Sequence, residues 1–319
     1  MSEATVRLLL FLGIFAAMAL FELVLPRREL IFSRARRWTT NLAIVAADTA
    51  VLRIVFPMAA VGVALWAQAG GYGLFALAGL PLWLAGLLGF VLLDFAVWAE
   101  HWASHKIPLL WRIHKMHHAD RDIDLTTALR FHPLEIVISM LWKAVIVLAF
   151  GIPAVAVLVF EVVLNGAAMF NHANFRLPLA LDRRLRLFLV TPDMHRVHHS
   201  VIRSETDSNY GFNLAVWDRI FGTYTDQPRD GHEGSAVFHT FYPDIEIATI
   251  DDAIITMMIG AHNLDNTHIN VSGCQFYECS SNNQRWTHCL YMSARSISIT
   301  DNRFDKTGNA FAIGRSSHV

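Results

Sequence analysis

Four long apolar runs, the first and second separated by an arginine-rich segment and the third and fourth by a histidine-rich one, fill most of the first 170 residues. Leu8 to Pro26 is interrupted only by Glu22, and at about 1.5 Å per residue it approaches the roughly 30 Å hydrocarbon thickness of a bilayer. Asn41 to Trp66 is a second candidate span, with Asp48 and Arg53 inside it as an intramembrane pair or pore-lining polar groups. Leu74 to Trp98 is a third. Leu134 to Phe170 is long enough for a hairpin that turns at Gly151-Ile152-Pro153. The pattern predicts an all-α integral membrane protein with about four to five membrane helices. No small-residue cleavage site precedes Pro26-Arg27-Arg28, so the first run is expected to stay on the protein.

Composition agrees. The chain is 54% hydrophobic and 17% charged, against soluble norms of about 45–50% and about 25%. Charge adds an orientation. Arg27, Arg28, Arg34, Arg36 and Arg37 follow the first run, whereas Ala67 to Gly73 carries no charge, so the arginine loop is expected on the cytoplasmic side. Lys106, Arg112, Lys115, Arg121 and Arg130, then Arg176, Arg183, Arg184 and Arg186, flank the histidine-rich segments. A hairpin crosses twice or not at all, so these segments can meet as one helical, histidine-rich cytoplasmic cap. The net charge of −1 gives no reason to expect a nucleic-acid partner.

The candidate chemistry lies in three histidine clusters: His101 and His105; His114, His117 and His118; His195, His198 and His199. Offsets of three and four place each cluster on one helix face, so each helix can aim two or three imidazoles at one point. Thr191 and Pro192 mark a helix start before the third cluster. Eight imidazoles exceed the four ligands of a structural zinc and the three of a catalytic one, so the count favours two metals. Imidazole without thiolate or a carboxylate-rich set suits iron, zinc or copper. The absence of His-Glu-x-x-His argues against a zinc protease. His172 is a good ninth ligand, and His132, before Pro133, is a further candidate. Asp94 shares a helix face with Trp98, His101 and His105, where it could accept a proton from a ligating ring and fix its tautomer.

These residues also carry a resemblance. Asp94-x3-Trp98-x2-His101-x3-His105, His114-x2-His117-His118, Leu125-Thr126-Thr127-Ala128-Leu129-Arg130, Asn171-His172-Ala173-Asn174 and His195-x2-His198-His199 are followed by Asn209-Tyr210-Gly211 and Trp217-Asp218-Arg219-Ile220-Phe221-Gly222-Thr223. Over roughly residues 5 to 230 this series resembles the fatty acid hydroxylase/sterol desaturase superfamily, most of all its bacterial sterol-desaturase-family members and its alkylglycerol monooxygenase branch. The resemblance implies a histidine-box, non-haem di-iron oxidoreductase of monooxygenase type in a bacterial inner membrane, with its site on the cytoplasmic face. It would use O2 as co-substrate and external electrons to hydroxylate or desaturate a lipid drawn from the bilayer, in lipid biosynthesis. It assigns two iron ions, which zinc can replace in purified protein, to His101, His105, His114, His117, His118, His195, His198 and His199. His172 fits a further family histidine, Met169 stands where some hydroxylases carry an additional partner, and Asp94 and Asn209 are implied as supporting residues. The chain has no haem attachment motif, iron–sulfur cysteine pattern or dinucleotide fingerprint, so a separate electron donor is expected: a cytochrome b5-like protein, a ferredoxin or a reductase.

From about Asp244 the pattern changes. Residues 267–276 line up with residues 295–304, matching Ile269 to Ile297, Val271 to Ile299 and Phe276 to Phe304. Alternating apolar residues that recur at this spacing predict a β tail, a partial right-handed parallel β-helix resembling pectate-lyase-like proteins. The expected organisation is a membrane domain over 1–235, a junction over 236–243 and a tail over 244–319 that is foreign or incomplete and takes no part in catalysis. Cys274, Cys279 and Cys289 match no zinc spacing and are expected to be reduced in the cytoplasm. Two other functions compete with the oxygenase: a non-catalytic membrane metal-binding protein using the same histidines, and glycan binding by the tail.

Overall fold

The apolar runs become helices whose ends follow from local chemistry. The computed structural model describes residues 3–30, 32–120, 122–200, 202–229 and 231–234, and beyond them the backbone of seven short strands. The first run forms α1 (Glu3–Val24). The second forms one candidate span built from two helices, α2 (Arg34–Val55) and α3 (Ala59–Gly70). The break lies at Phe56-Pro57, where Phe56 leaves the helix at φ −139°, ψ 69°. Proline removes a backbone donor and disfavours helical geometry in the residue before it. A short α4 (Leu74–Leu77) leads to the long α5 (Leu82–Lys106), and α6 (Pro108–His118) follows with proline in its first turn. The hairpin forms as α7 (Pro133–Phe150) and α8 (Ala154–His172), turned by Gly151 in the left-handed region at φ 67°. Gly73 also packs against this turn, so closely that any side chain on it would strike the Gly151 backbone.

Among the described residues, five helical stretches are long and apolar enough to cross a membrane: Thr5–Val24, Arg34–Leu77, Leu82–Lys106, Pro133–Phe150 and Ala154–His172. Their outer faces leave Leu8, Leu20, Leu87, Val145 and Val155 exposed, as expected where lipid is the solvent. The protein is therefore an integral membrane protein. Inside, α3, α5, α7 and α8 pack around Val61, Leu93, Val147, Val157 and Phe160. Asp48 is buried and Arg53 exposed, so the two do not form the pair expected of them.

Contacts between helices set their directions. Arg37, at the start of α2, reaches the loop after α6 through Asp120 and Asp124, while Gly73, beyond α3, reaches the α7–α8 turn. The carboxylate of Glu22, near the end of α1, accepts the Leu125 and Asn174 amides, each at 2.7 Å. The histidine-bearing ends of α5 and α8 and the start of α7 therefore lie at one end of the bundle, beside α6. Short helices complete that end: α9 (Leu179–Leu185), α10 (Pro192–His198), α11 (Arg203–Thr206), α12 (Val216–Ile220) and α13 (Gly231–Gly234).

The second unit, Phe241–Val319, contains only strands among its described residues. The longest, β2 (His268–Ser272) and β5 (Ser296–Thr300), pair in parallel with Ile269 opposite Ile297 and Val271 opposite Ile299. β3 (Gln275–Tyr277) and β6 (Arg303–Asp305) pair likewise, placing Phe276 opposite Phe304. β1 (Met258–Ile259), β4 (Tyr291–Met292) and β7 (Ala312–Ile313) make a third parallel set. The junction at 236–243 and Cys274, Cys279 and Cys289 lie outside the described residues.

Candidate metal centre

Nine histidines converge where α5, α6, α8 and α10 meet. They form two groups, each with one ring nitrogen per residue within 4.8 Å of all the others: His101, His105, His114, His118 and His198 in one; His117, His172, His195 and His199 in the other. All nine are buried. The three rings of one cluster do not share a point, as their spacing suggests. Instead α6 gives His114 and His118 to the five-histidine group and His117 to the four-histidine group, whereas α10 and its C-cap give His195 and His199 to the four and His198 to the five. Residues four apart lie one above the other on a helix, but consecutive residues diverge by about 100°. The rings of His117 and His118 stand at 89° to one another, and those of His198 and His199 at 86°.

The ring nitrogens are spaced as metal ligands. His118 Nε2 lies 3.1 Å from His105 Nε2 and 3.2 Å from His114 Nε2. His172 Nε2 lies 3.0, 3.1 and 3.2 Å from the Nε2 atoms of His117, His195 and His199. Metal–imidazole bonds of about 2.0–2.1 Å put neighbouring ligands about 2.9 Å apart in an octahedron and about 3.4 Å apart in a tetrahedron, and the observed values fall between. Outer hydrogen bonds settle which nitrogen faces inward. The Nδ1–H of His101 donates to the Tyr210 carbonyl (2.7 Å), that of His198 to Ser208 (2.7 Å), that of His172 to Ala168 (2.8 Å) and that of His117 to Arg130 (3.3 Å). The Nε2 of each therefore presents a lone pair. Two lone pairs 3.0 Å apart, as on His117 and His172, repel unless a cation lies between them. The buried Nε2 atoms of His101 and His198 have no protein partner. The residues present fit a metal.

Electrostatics favour neutral rings. Burial first, and neighbouring imidazoles second, hold His117, His118, His195 and His199 well below the ordinary histidine value, and burial pushes His198 down to about 3. A neutral imidazole is the ligating form.

The supporting residues differ from those expected. Asp94 touches no imidazole: its Oδ2 accepts from Trp217 Nε1 at 2.7 Å and ties α5 to α12. Glu135 instead hydrogen-bonds a ring of the five-histidine group, accepting from His114 Nδ1 at 2.6 Å, while Asp207 lies 3.8 Å from His105 Nδ1. Glu135 stands in the first turn of an apolar helix, a costly position for an acid and the sequence signal that could have revealed it. His132 lies outside both groups, where its Nδ1 accepts the Leu134 amide and caps α7. Thr191 caps α10 by accepting the Met194 amide.

Asn209 is a loop staple. It adopts a left-handed conformation (φ 52°), so that the flanking carbonyls of Ser208 and Tyr210 orient His198 and His101. Its amide donates to the carbonyls of Met194 (2.9 Å) and Thr225 (2.8 Å). Asp218 fixes the same turn by accepting from Tyr210 N, Gly211 N, Trp98 Nε1 and Thr223 Oγ1. On the other side, Arg37 and Asn41 bind Asp120 while Arg130 bonds to Asn41 and Met116, anchoring the carbonyl that orients His117.

Helices of this kind carrying nine converging imidazoles define a membrane protein with histidine groups that could hold metal at one end of its bundle. Residues 86–223 match the fatty acid hydroxylase family, and the relatives that this part of the chain resembles are lipid hydroxylases and monooxygenases by name. It is 30% identical over 152 residues to an ornithine lipid hydroxylase of Rhizobium tropici, covering 47% of this chain and 44% of that one. It is 34% identical over 142 residues to the human alkylglycerol monooxygenase, covering 44% and 30%. A cholesterol 25-hydroxylase-like protein of Danio rerio is 26% identical over 134 residues, covering 42% and 52%. The chain thus spans about half or less of the length of these relatives. No solved structure matches it.

Proposed function

We propose that this protein is a membrane-bound, non-haem di-iron monooxygenase that hydroxylates, or desaturates, a lipid. The observation that supports this most strongly is the division of nine buried imidazoles into a group of five and a group of four, with ring nitrogens 3.0–3.2 Å from a central one, His118 Nε2 or His172 Nε2, in each. Two irons held there would activate O2, with electrons from a separate donor, for attack on an unactivated C–H bond. The chain's own part is to hold neutral rings in place through the Tyr210, Ser208, Ala168 and Arg130 carbonyls and the Glu135 carboxylate, and to exclude water by burial. Relatives named for ornithine lipid hydroxylation and alkylglycerol oxidation support a lipid substrate. The arginine-rich Arg27 to Arg37 segment, at the same end of the bundle, supports a site on the cytoplasmic face, and the bacterial inner membrane is proposed from the likeness to the Rhizobium tropici relative.

The test is metal analysis of the detergent-purified chain beside a variant carrying H117A, H118A, H198A and H199A, followed by mass spectrometry of membrane lipids incubated with O2 and a reductant. Two irons per chain, lost in the variant, with a lipid gaining one oxygen, is the expected result. Metal without oxidised lipid under any donor would instead favour a metal-binding protein. For the tail we propose a partial parallel β-helix without a catalytic role, supported by the parallel pairing of β2 with β5 and of β3 with β6.

A further inference from the structure

The elements around α10 carry a surface that the metal centre does not use. Leu179, Leu187 and Phe188, in and after α9, are 60%, 57% and 70% exposed, and Ile220 and Phe221, in and after α12, are 62% and 50% exposed. The two stretches are stitched together, since the Ala215 amide donates to the Phe188 carbonyl at 2.9 Å and Leu189 bridges to Leu214. They form one apolar face, with Arg183 and Arg184 exposed on α9.

The level of this face is fixed by α5. Phe221 stacks on Trp98 (4.5 Å) and Phe95 (5.8 Å), and Trp217 bonds to Asp94. Phe95 stands about 20 Å along α5 from Leu82, and about 9 Å from Gly89, which packs against Ile152 of the α7–α8 turn. Whichever residue marks the far boundary, the level of Phe95 falls within the roughly 30 Å hydrocarbon layer. Large apolar side chains beside cationic ones are the signature of a segment lying in the membrane interface.

We propose that Leu179–Leu189 and Val216–Phe221 form an apron embedded in the leaflet on the histidine side, its apolar side chains among the acyl chains and Arg183 and Arg184 at the lipid phosphates. Part of the cap is then sunk in the bilayer, not raised in water above it. This inference does not depend on the catalytic reading.

The test uses the full chain with C274S, C279S and C289S, carrying F188C or I220C labelled with an environment-sensitive fluorophore, in nanodiscs of phosphatidylethanolamine and phosphatidylglycerol. L87C on the lipid face of α5 and R203C, whose native side chain is 73% exposed, are the references. The expected result is quenching of both apron sites by acyl-chain doxyl lipids to the extent seen at L87C, with no quenching by iodide. Iodide quenching like that at R203C would overturn the proposal, and so would resistance to both quenchers, which would mean that protein, such as a second copy, covers the face. Metal content and monodispersity confirm that each labelled variant is folded, and two separate sites guard against the failure of one.

Discussion

α6 and α10 carry the same pattern, His-x-x-His-His, and use it in opposite senses. In α6 the residues four apart serve the five-histidine group and the odd ring serves the four, whereas in α10 the assignment is reversed. Each helix therefore clamps both groups, and neither group belongs to one element. The two groups also differ in support. His114 and His101 in the first are held by Glu135 and by the Tyr210 turn, which lie outside the ligand helices. His172 in the second is held by its own helix through Ala168, and its Nε2 faces all three of its partners.

The sharpest way to break this comparison is at His172. H172A is expected to abolish metal binding in the four-histidine group while leaving the five-histidine group loaded, read by metal analysis and by spectroscopy of the remaining ion. Loss of both ions would show that the groups fill only together.

Next in size is Asp218. D218A strands buried donors on Trp98, Tyr210 and Gly211, and is expected to cost on the order of 3 kcal/mol in thermal or denaturant unfolding of the apoprotein. An unchanged midpoint would contradict the role of the Tyr210 turn as a scaffold. E135Q probes the first group alone. It keeps the shape but weakens the acceptor opposite His114 Nδ1, and a roughly 10–100-fold fall in affinity for the first-group ion alone is expected from competition with a chelator. The smallest effect is expected from deleting residues 244–319, which should leave metal content unchanged. Iron loss in that truncation would tie the tail to the centre.

The helices were legible because a bilayer-length apolar run needs no tertiary information, and the pairing of His114 with His118 and of His195 with His199 because imidazoles four apart on a helix share a face. Pro57 shows the limit of hydropathy, which averages over the one residue that divides the second span into two helices. Asp94 shows another. It lies on the histidine face of α5, yet it bonds to Trp217, because α12 folds back against α5 and supplies a nearer donor.

By itself the sequence placed the apolar stretches, the end of the bundle that carries the histidines and the nine rings that converge there, since hydropathy and the position of each histidine beside an apolar run suffice for these. Only the tertiary structure decided which ring joins which group, which nitrogen faces inward and which carboxylate meets a ligand. Those choices depend on the angle at which α6 and α10 face one another and on carbonyls brought up by a distant turn at Asn209, and neither is encoded in local spacing.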